Sequence, residues 1–169
     1  MTEAVLQSGA LDSHAKIITV SSTMGKVSCL KDFNQSAYEK FSDYKSLTLE
    51  EIDHYAKVLT EELVDGKESK KNWPIMYSCS KLWINLWTSA IGRLLPSLGH
   101  PNIQIYSLHP GFVLTDLTRH FIEKGITPPL NEDEGAKTSV YVALDIPFEV
   151  NPELQGEYFD LCQHADMVN

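Results

Sequence analysis

The sequence is short of positive charge. Lys and Arg together number 14 against 23 Asp and Glu, a formal net charge of −9 over 169 residues. Nucleic-acid binding needs a concentrated basic surface, and the one short basic run, Lys67 to Lys71, does not supply it. Nucleic acid is therefore not an expected partner. Cysteine is scarce as well: Cys29, Cys79 and Cys162 stand far apart, without the paired spacing of a structural zinc site or a disulfide framework. They read as reduced intracellular thiols. His14, His54, His100, His109, His120 and His164 are scattered without ligand spacing, so no metal is expected. No apolar stretch approaches the length of a bilayer span, and Met1-Thr2-Glu3 opens no basic-then-apolar leader. The expectation is a cytoplasmic protein with no membrane partner. A glycine-rich strand-turn-helix is also missing, because Gly9, Gly25 and Gly66 are isolated and none fits a phosphate-cradling turn.

What is present is enough for one core, with an apolar share of 43%. Residues 16 to 22 form a β-branched run ending in Ser21-Ser22, which reads as a buried parallel strand. Asn102 to His109, stopped by Pro110-Gly111, reads as a second strand, and Gly156 to Leu161 as a weaker third. Between them Leu82, Leu86, Leu94, Leu95 and Leu98 recur at helical spacing, which predicts a long, mostly buried helix from Pro74 to about Leu98. Asn131 with Glu134 resembles a capping pair opening a helix to about Asp145. Strand and helix alternate, the signature of an α/β parallel sheet. The stretch from Ser22 to Tyr77 is too long to be loop alone. Thr48 with Glu51 caps a stripe of Leu49, Ile52, Tyr55, Leu59 and Leu63 that ends at Asp65-Gly66, an inserted amphipathic helix.

The chemistry is carried by a few residues. Tyr77 and Lys81 stand four apart near the start of the long helix, so their side chains share one face. A phenol relays protons poorly at neutral pH unless a fixed positive charge favours the phenolate, which a neighbouring ammonium provides. Ser22 ends a buried strand, where open α/β sheets place their ligands, and its hydroxyl can polarise a substrate carbonyl. The run His109-Pro110-Gly111-Phe112-Val113-Leu114-Thr115 ends the second strand at the same sheet edge. Three strand-end features thus converge on one crevice.

These residues resemble the short-chain dehydrogenase/reductase family, and within it the carbonyl reductase branch. The match runs from the strand and turn of Ile17 to Gly25, through Trp73-Pro74 and Tyr77 to Lys81, to Pro110-Gly111, Thr115 and Gly135-Ala136. The resemblance implies the second half of a Rossmann-type doubly wound parallel sheet, with residues 1–169 a single partial domain and residues 26–72 a helical insertion between the catalytic Ser and Tyr. It implies that Ser22 orients the carbonyl, that Tyr77 delivers the proton, and that Lys81 binds the nicotinamide ribose while stabilising the phenolate. Pro110, Gly111, Val113 and Thr115 would lie on the cofactor side, with Thr115 and the Val113 backbone holding the carboxamide. The implied cofactor is NADP rather than NAD, the substrate a small-molecule ketone, aldehyde or quinone, and the complete enzyme a monomer because the insertion covers the helix face used elsewhere for dimerisation.

The family's phosphate loop and its catalytic Asn are not found in the sequence, so this chain alone is expected to be inactive. A non-catalytic binding or structural subunit with the same fold is the rival reading. Trp73 can wall a substrate pocket or simply pack, and His109 can touch a ligand or serve as a structural polar residue. Trp83 and Trp87 read as packing, and Cys79, two residues from Tyr77, should face away from it.

Overall fold

The computed structural model describes residues 2–65, 73–116, 118–125 and 129–169. Its centre is a four-stranded sheet in the order β1-β2-β3-β4, from β1 (Lys16–Val20), β2 (Gln104–His109), β3 (Tyr158–Asp160) and β4 (Gln163–Ala165). The first three strands are parallel, with Val20 opposite Leu108 and His109 opposite Asp160, and β4 returns antiparallel. Alternation along β2 assigns the two faces. Ile105 packs with Ile91 of the long helix and with Leu95 just past its end, whereas Tyr106 and Leu108 pack on the other side with Val142, Ile146 and Phe159. The sheet is thus covered by helix on both faces, the arrangement that parallel strands require.

The helices are α1 (Thr2–Gln7), α2 (Gln35–Ser42), α3 (Leu49–Asp65), α4 (Trp73–Leu94), α5 (Arg119–Glu123) and α6 (Glu132–Val140). Both capping boxes form: the Thr48 and Glu51 side chains each accept the other's backbone N–H, as do those of Asn131 and Glu134. Replacing Asn131 by alanine leaves one of these N–H groups unpaired and is expected to cost about 1 kcal/mol, read as a lowered urea midpoint with an unchanged slope. The stripe foreseen on α3 packs as expected, with Ile52, Leu59 and Leu63 in one cluster with Cys79, Leu82, Leu86 and Ala90 of α4. Val27, Leu30, Phe41 and Leu47 complete that cluster, so the segment between Ser22 and Tyr77 covers one face of the long helix.

Several boundaries differ from expectation. β1 stops at Val20, because Ser22 turns away to cap the short 3-10 turn Thr23–Gly25. The long helix ends at Leu94 rather than Leu98, since Pro96 offers no N–H and disfavours helical geometry in the residue before it. β2 begins at Gln104, two residues later than read. β3 is only three residues, because Leu161 leaves it for a tight turn with a φ of 48°. After Val140, α6 widens into a π-turn over Tyr141–Asp145. The stop at Gly66 and the basic run Lys67 to Lys71 lie outside the described residues.

A backbone-to-backbone contact seats the long helix on the sheet. A Cβ on Gly92 would lie 2.7 Å from the Gly156 Cα, and one on Gly156 would lie 2.8 Å from the Ser89 Cα. No side chain fits between α4 and the start of β3.

Candidate active site

The carboxyl end of β1 and the first turns of α4 are fastened together at four points. Lys81 Nζ donates to the Val20 carbonyl at 3.3 Å, and Ser21 Oγ donates to the Lys81 carbonyl at 3.2 Å. Asn85 Nδ2 donates to the Gly25 carbonyl at 2.9 Å. Gly25 itself presses on the Lys81 backbone, where any Cβ would come within 2.7 Å. Ser22 lies inside this clamp, so its position relative to the Tyr77–Lys81 turn does not depend on the segment between them.

Each side chain is held in a particular state. The buried Ser22 Oγ accepts the Met24 N–H at 3.2 Å, which leaves its own proton free to donate elsewhere. Tyr77 is half-buried and stacks on Trp73 with centroids 5.6 Å apart and planes 17° from parallel. Lys81 Nζ sits 5.8 Å from the centroid of the Tyr77 ring. Trp73 is 47% exposed and also stacks on Phe121, whose edge meets Phe112. Its place is beside Tyr77 at the site, while Trp83 packs edge-on against Phe41 and Trp87 against the Ile91 and Leu95 cluster.

The turn after β2 supplies backbone groups. Gly111 has a φ of +89°, which a residue with a side chain adopts only at a cost, so glycine lets the chain reverse after Pro110. Val113 then bridges to Leu130: the Leu114 N–H donates to the Leu130 carbonyl and the Leu130 N–H to the Phe112 carbonyl, both at 2.9 Å. That pairing leaves Val113's own groups on the opposite edge. Its carbonyl accepts from Thr118 Oγ1, and among the described residues its N–H donates to nothing. Thr115 is exposed, and its hydroxyl lies 3.2 Å from that of Thr118. His109 is different: its Nδ1 is buried without a partner among the described residues, and burial pushes the imidazole below its ordinary range against the opposing pull of Asp160. A neutral ring at the strand end follows.

Asn85, Thr118 and Phe121 were not singled out in the sequence. Asn85 had a signal, since it continues the Tyr77, Lys81 spacing by one more turn. Phe121 had none, because only the tertiary path of the segment after Thr115 brings it to Trp73. Cys79 faces away from the site, toward the α2–α3 cluster. Among the described residues no three His, Cys, Asp or Glu side chains gather as a metal would require, and no helix is long and apolar enough to cross a membrane.

No protein-family model matches the chain. Individual relatives do. It is 30% identical over 147 residues to (+)-neomenthol dehydrogenase of Capsicum annuum, covering 85% of this chain and 43% of that protein. It is 31% identical over 124 residues to retinol dehydrogenase 14 of Mus musculus, covering 68% of this chain and 35% of that protein. Among solved structures, salutaridine reductase from Papaver somniferum superposes with a TM-score of 0.70 at 24% identity, over 94% of this chain and 49% of that one, which shows a shared fold. The chain therefore spans less than half the length of the curated relatives it matches. With the Ser, Tyr and Lys at one sheet edge, a shared fold and these relatives together, the chain belongs to the short-chain dehydrogenase/reductase family.

Proposed function

We propose that the protein carrying this chain is a nicotinamide-dependent carbonyl reductase, and that these residues form the nicotinamide and substrate side of its site. The observation that carries this reading is the clamp: a buried serine with a free hydroxyl proton, fastened through Gly25, Lys81 and Asn85 beside a tyrosine and a lysine one helical turn apart.

The cofactor fits the residues present. The unpaired Val113 N–H offers a donor for a carboxamide, and Lys81, with further ammonium protons beyond the one on Val20, offers donors for ribose hydroxyls. Pro110 and Gly111 shape that wall, and Thr115 stands at its rim. When bound, reduced nicotinamide supplies hydride to the carbonyl carbon. Ser22 donates a hydrogen bond to the carbonyl oxygen, which draws charge onto it as the carbon is attacked. Tyr77 hands its phenolic proton to that oxygen, and Lys81 stabilises the phenolate left behind. Trp73, Phe121 and Phe112 present aromatic surface next to Tyr77, suited to an apolar, ring-bearing ketone or aldehyde. The names of the relatives, dehydrogenases and reductases, agree with this chemistry.

The phosphorylated cofactor is our choice, on the resemblance to the carbonyl reductase branch. The same resemblance suggests a monomer, since α2, α3 and the turns before them occupy one face of α4. The test is to mix the purified full-length protein with NADPH or NADH and a panel of cyclic ketones, aldehydes and quinones. Consumption of NADPH with at least one apolar carbonyl is expected. No consumption of either cofactor across the panel overturns the reading.

A further inference from the structure

Gly135 is an unexpected residue for its place. It follows Glu134 of the capping pair, and its N–H donates to the Asn131 carbonyl at 2.9 Å, closing the first turn of α6. Within a helix glycine is the least favourable residue after proline, and alanine is the best. Gly135 is buried, and what lies over it is Val113 of the turn after β2. A Cβ on Gly135 would overlap Val113 Cγ2 and come within 3.1 Å of its Cγ1 and 3.3 Å of its Cβ. Valine cannot fold its branches aside, because both leave the same carbon and its first side-chain torsion is stiff. The residue would have to move as a whole, backbone included.

That backbone is tied on its other sides. The Leu114 N–H and the Phe112 carbonyl pair with Leu130, the residue ahead of the cap Asn131, and Thr118 Oγ1 donates to the Val113 carbonyl at 2.5 Å. A Cβ on Gly111 would overlap Leu130 Cδ1, so the turn lies flat on the entrance to α6 at both positions. Of the Val113 backbone groups, the N–H alone is left over among the described residues. Gly135 sets how closely the residue bearing it approaches the helix.

We propose that Gly135 is a positioning residue for the nicotinamide: having no side chain, it lets Val113 settle against α6, which aims the Val113 N–H at the carboxamide. On the functional reading above that N–H is the carboxamide donor, and the role of Gly135 rests on it. Gly135 touches neither cofactor nor substrate and acts through Val113. A methyl group added at position 135 lifts Val113 off the helix, and a hydrogen bond weakens steeply as its donor is displaced and turned. Cofactor atoms away from the carboxamide make no use of that N–H and should not feel the change.

The test compares full-length wild type with Gly135→Ala and with the double variant Gly135→Ala/Val113→Ala, in which the added methyl meets a shortened side chain while the backbone N–H is kept. Gly135→Ala should bind NADPH about tenfold more weakly, the loss of one hydrogen bond. Its affinity for a fragment of NADPH that ends at the nicotinamide ribose should be unchanged. The double variant should recover most of the affinity for NADPH. Equal weakening toward NADPH and the fragment, with no recovery in the double variant, marks general damage to the fold and overturns the proposal. Amide hydrogen exchange reads the same geometry with no cofactor added. The peptide covering Phe112 to Thr115 should exchange faster in Gly135→Ala and return toward wild type in the double variant, and exchange that Gly135→Ala leaves unchanged overturns the proposal as well. Wild type that binds neither NADPH nor NADH removes the functional reading and the role of Gly135 with it. Wild type that binds NADPH, with Gly135→Ala binding it equally well, removes the role of Gly135 alone.

Discussion

Tyr77→Phe is expected to lower kcat/KM for carbonyl reduction by about 10²- to 10⁴-fold, the range for loss of a positioned proton donor. The change removes one oxygen and little else. The Tyr77 hydroxyl makes no hydrogen bond among the described residues, while the ring, which phenylalanine keeps, stacks on Trp73. The melting temperature should therefore stay within a few degrees of wild type, since a change that opens no cavity and strands no partner is close to neutral. Rates under single-turnover conditions should show the loss in the chemical step, with the KM for NADPH little changed. A Tyr77→Phe enzyme that retains wild-type kcat/KM removes Tyr77 from the proton path, whatever else the site does.

The largest effect on stability is expected at Gly156. Its φ of +79° is a left-handed conformation in which a side chain costs about 1 to 2 kcal/mol. The added Cβ would also meet backbone atoms only, at 2.8 Å from the Ser89 Cα, 2.9 Å from the Ser89 oxygen and 3.1 Å from the Thr88 oxygen. No rotamer change relieves that, so α4 must move off the sheet, an overpacking cost of about 1 to 3 kcal/mol. Gly156→Ala should therefore cost about 2 to 5 kcal/mol, a large part of the stability of a typical domain. Urea unfolding of the full-length protein is the measurement. Gly9→Ala is the control: its φ of +66° is also left-handed, but no atom lies within 4 Å of the new Cβ. Only the strain should register there. Equal effects at the two positions would mean that α4 and β3 do not meet backbone to backbone.

Features decided within a few residues were legible in the sequence. The Thr48–Glu51 and Asn131–Glu134 pairs are local chemistry, and each opens the helix it marks. The apolar runs at Ile17 and Ile105 become parallel neighbours, but only the second is buried as read: β1 is the edge of the sheet among the described residues, half-buried along its length with Val20 52% exposed. β4 was not legible. It is three residues long, and its turn places Leu161 and Cys162 at φ values of 48° and 59°, where Asn-Gly would have announced a hairpin. Packing against Thr138 holds that turn instead, and no local pattern records it. The end of α4 was misread because Leu95 and Leu98 prolong the apolar spacing past Pro96, and a proline restriction outranks periodicity.

The site divides in the same way. Ser22, Tyr77 and Lys81 were legible because strand end and helical spacing place them without further information. Their attachment to one another was not, since Gly25 reads as an ordinary turn glycine until the Lys81 backbone is seen against it. The aromatic company of Tyr77 was half legible: Trp73 is a near neighbour in sequence, while Phe121 arrives from beyond the second strand.

That attachment also bears on how such a chain can change over time. The short stretch holding Ser22 is fastened to the Lys81 turn through Ser21, Gly25 and Asn85, so the α2–α3 segment runs in parallel with the joint rather than in series with it. A hinge built that way transmits little of what is added to the detour. Residues can be gained, lost or exchanged in the detour beyond Leu30 with the reacting groups kept in register, provided the apolar side that rests on Leu82 and Leu86 is kept. The segment is thus free to acquire new surfaces for other purposes while the chemistry beneath it stays where it was.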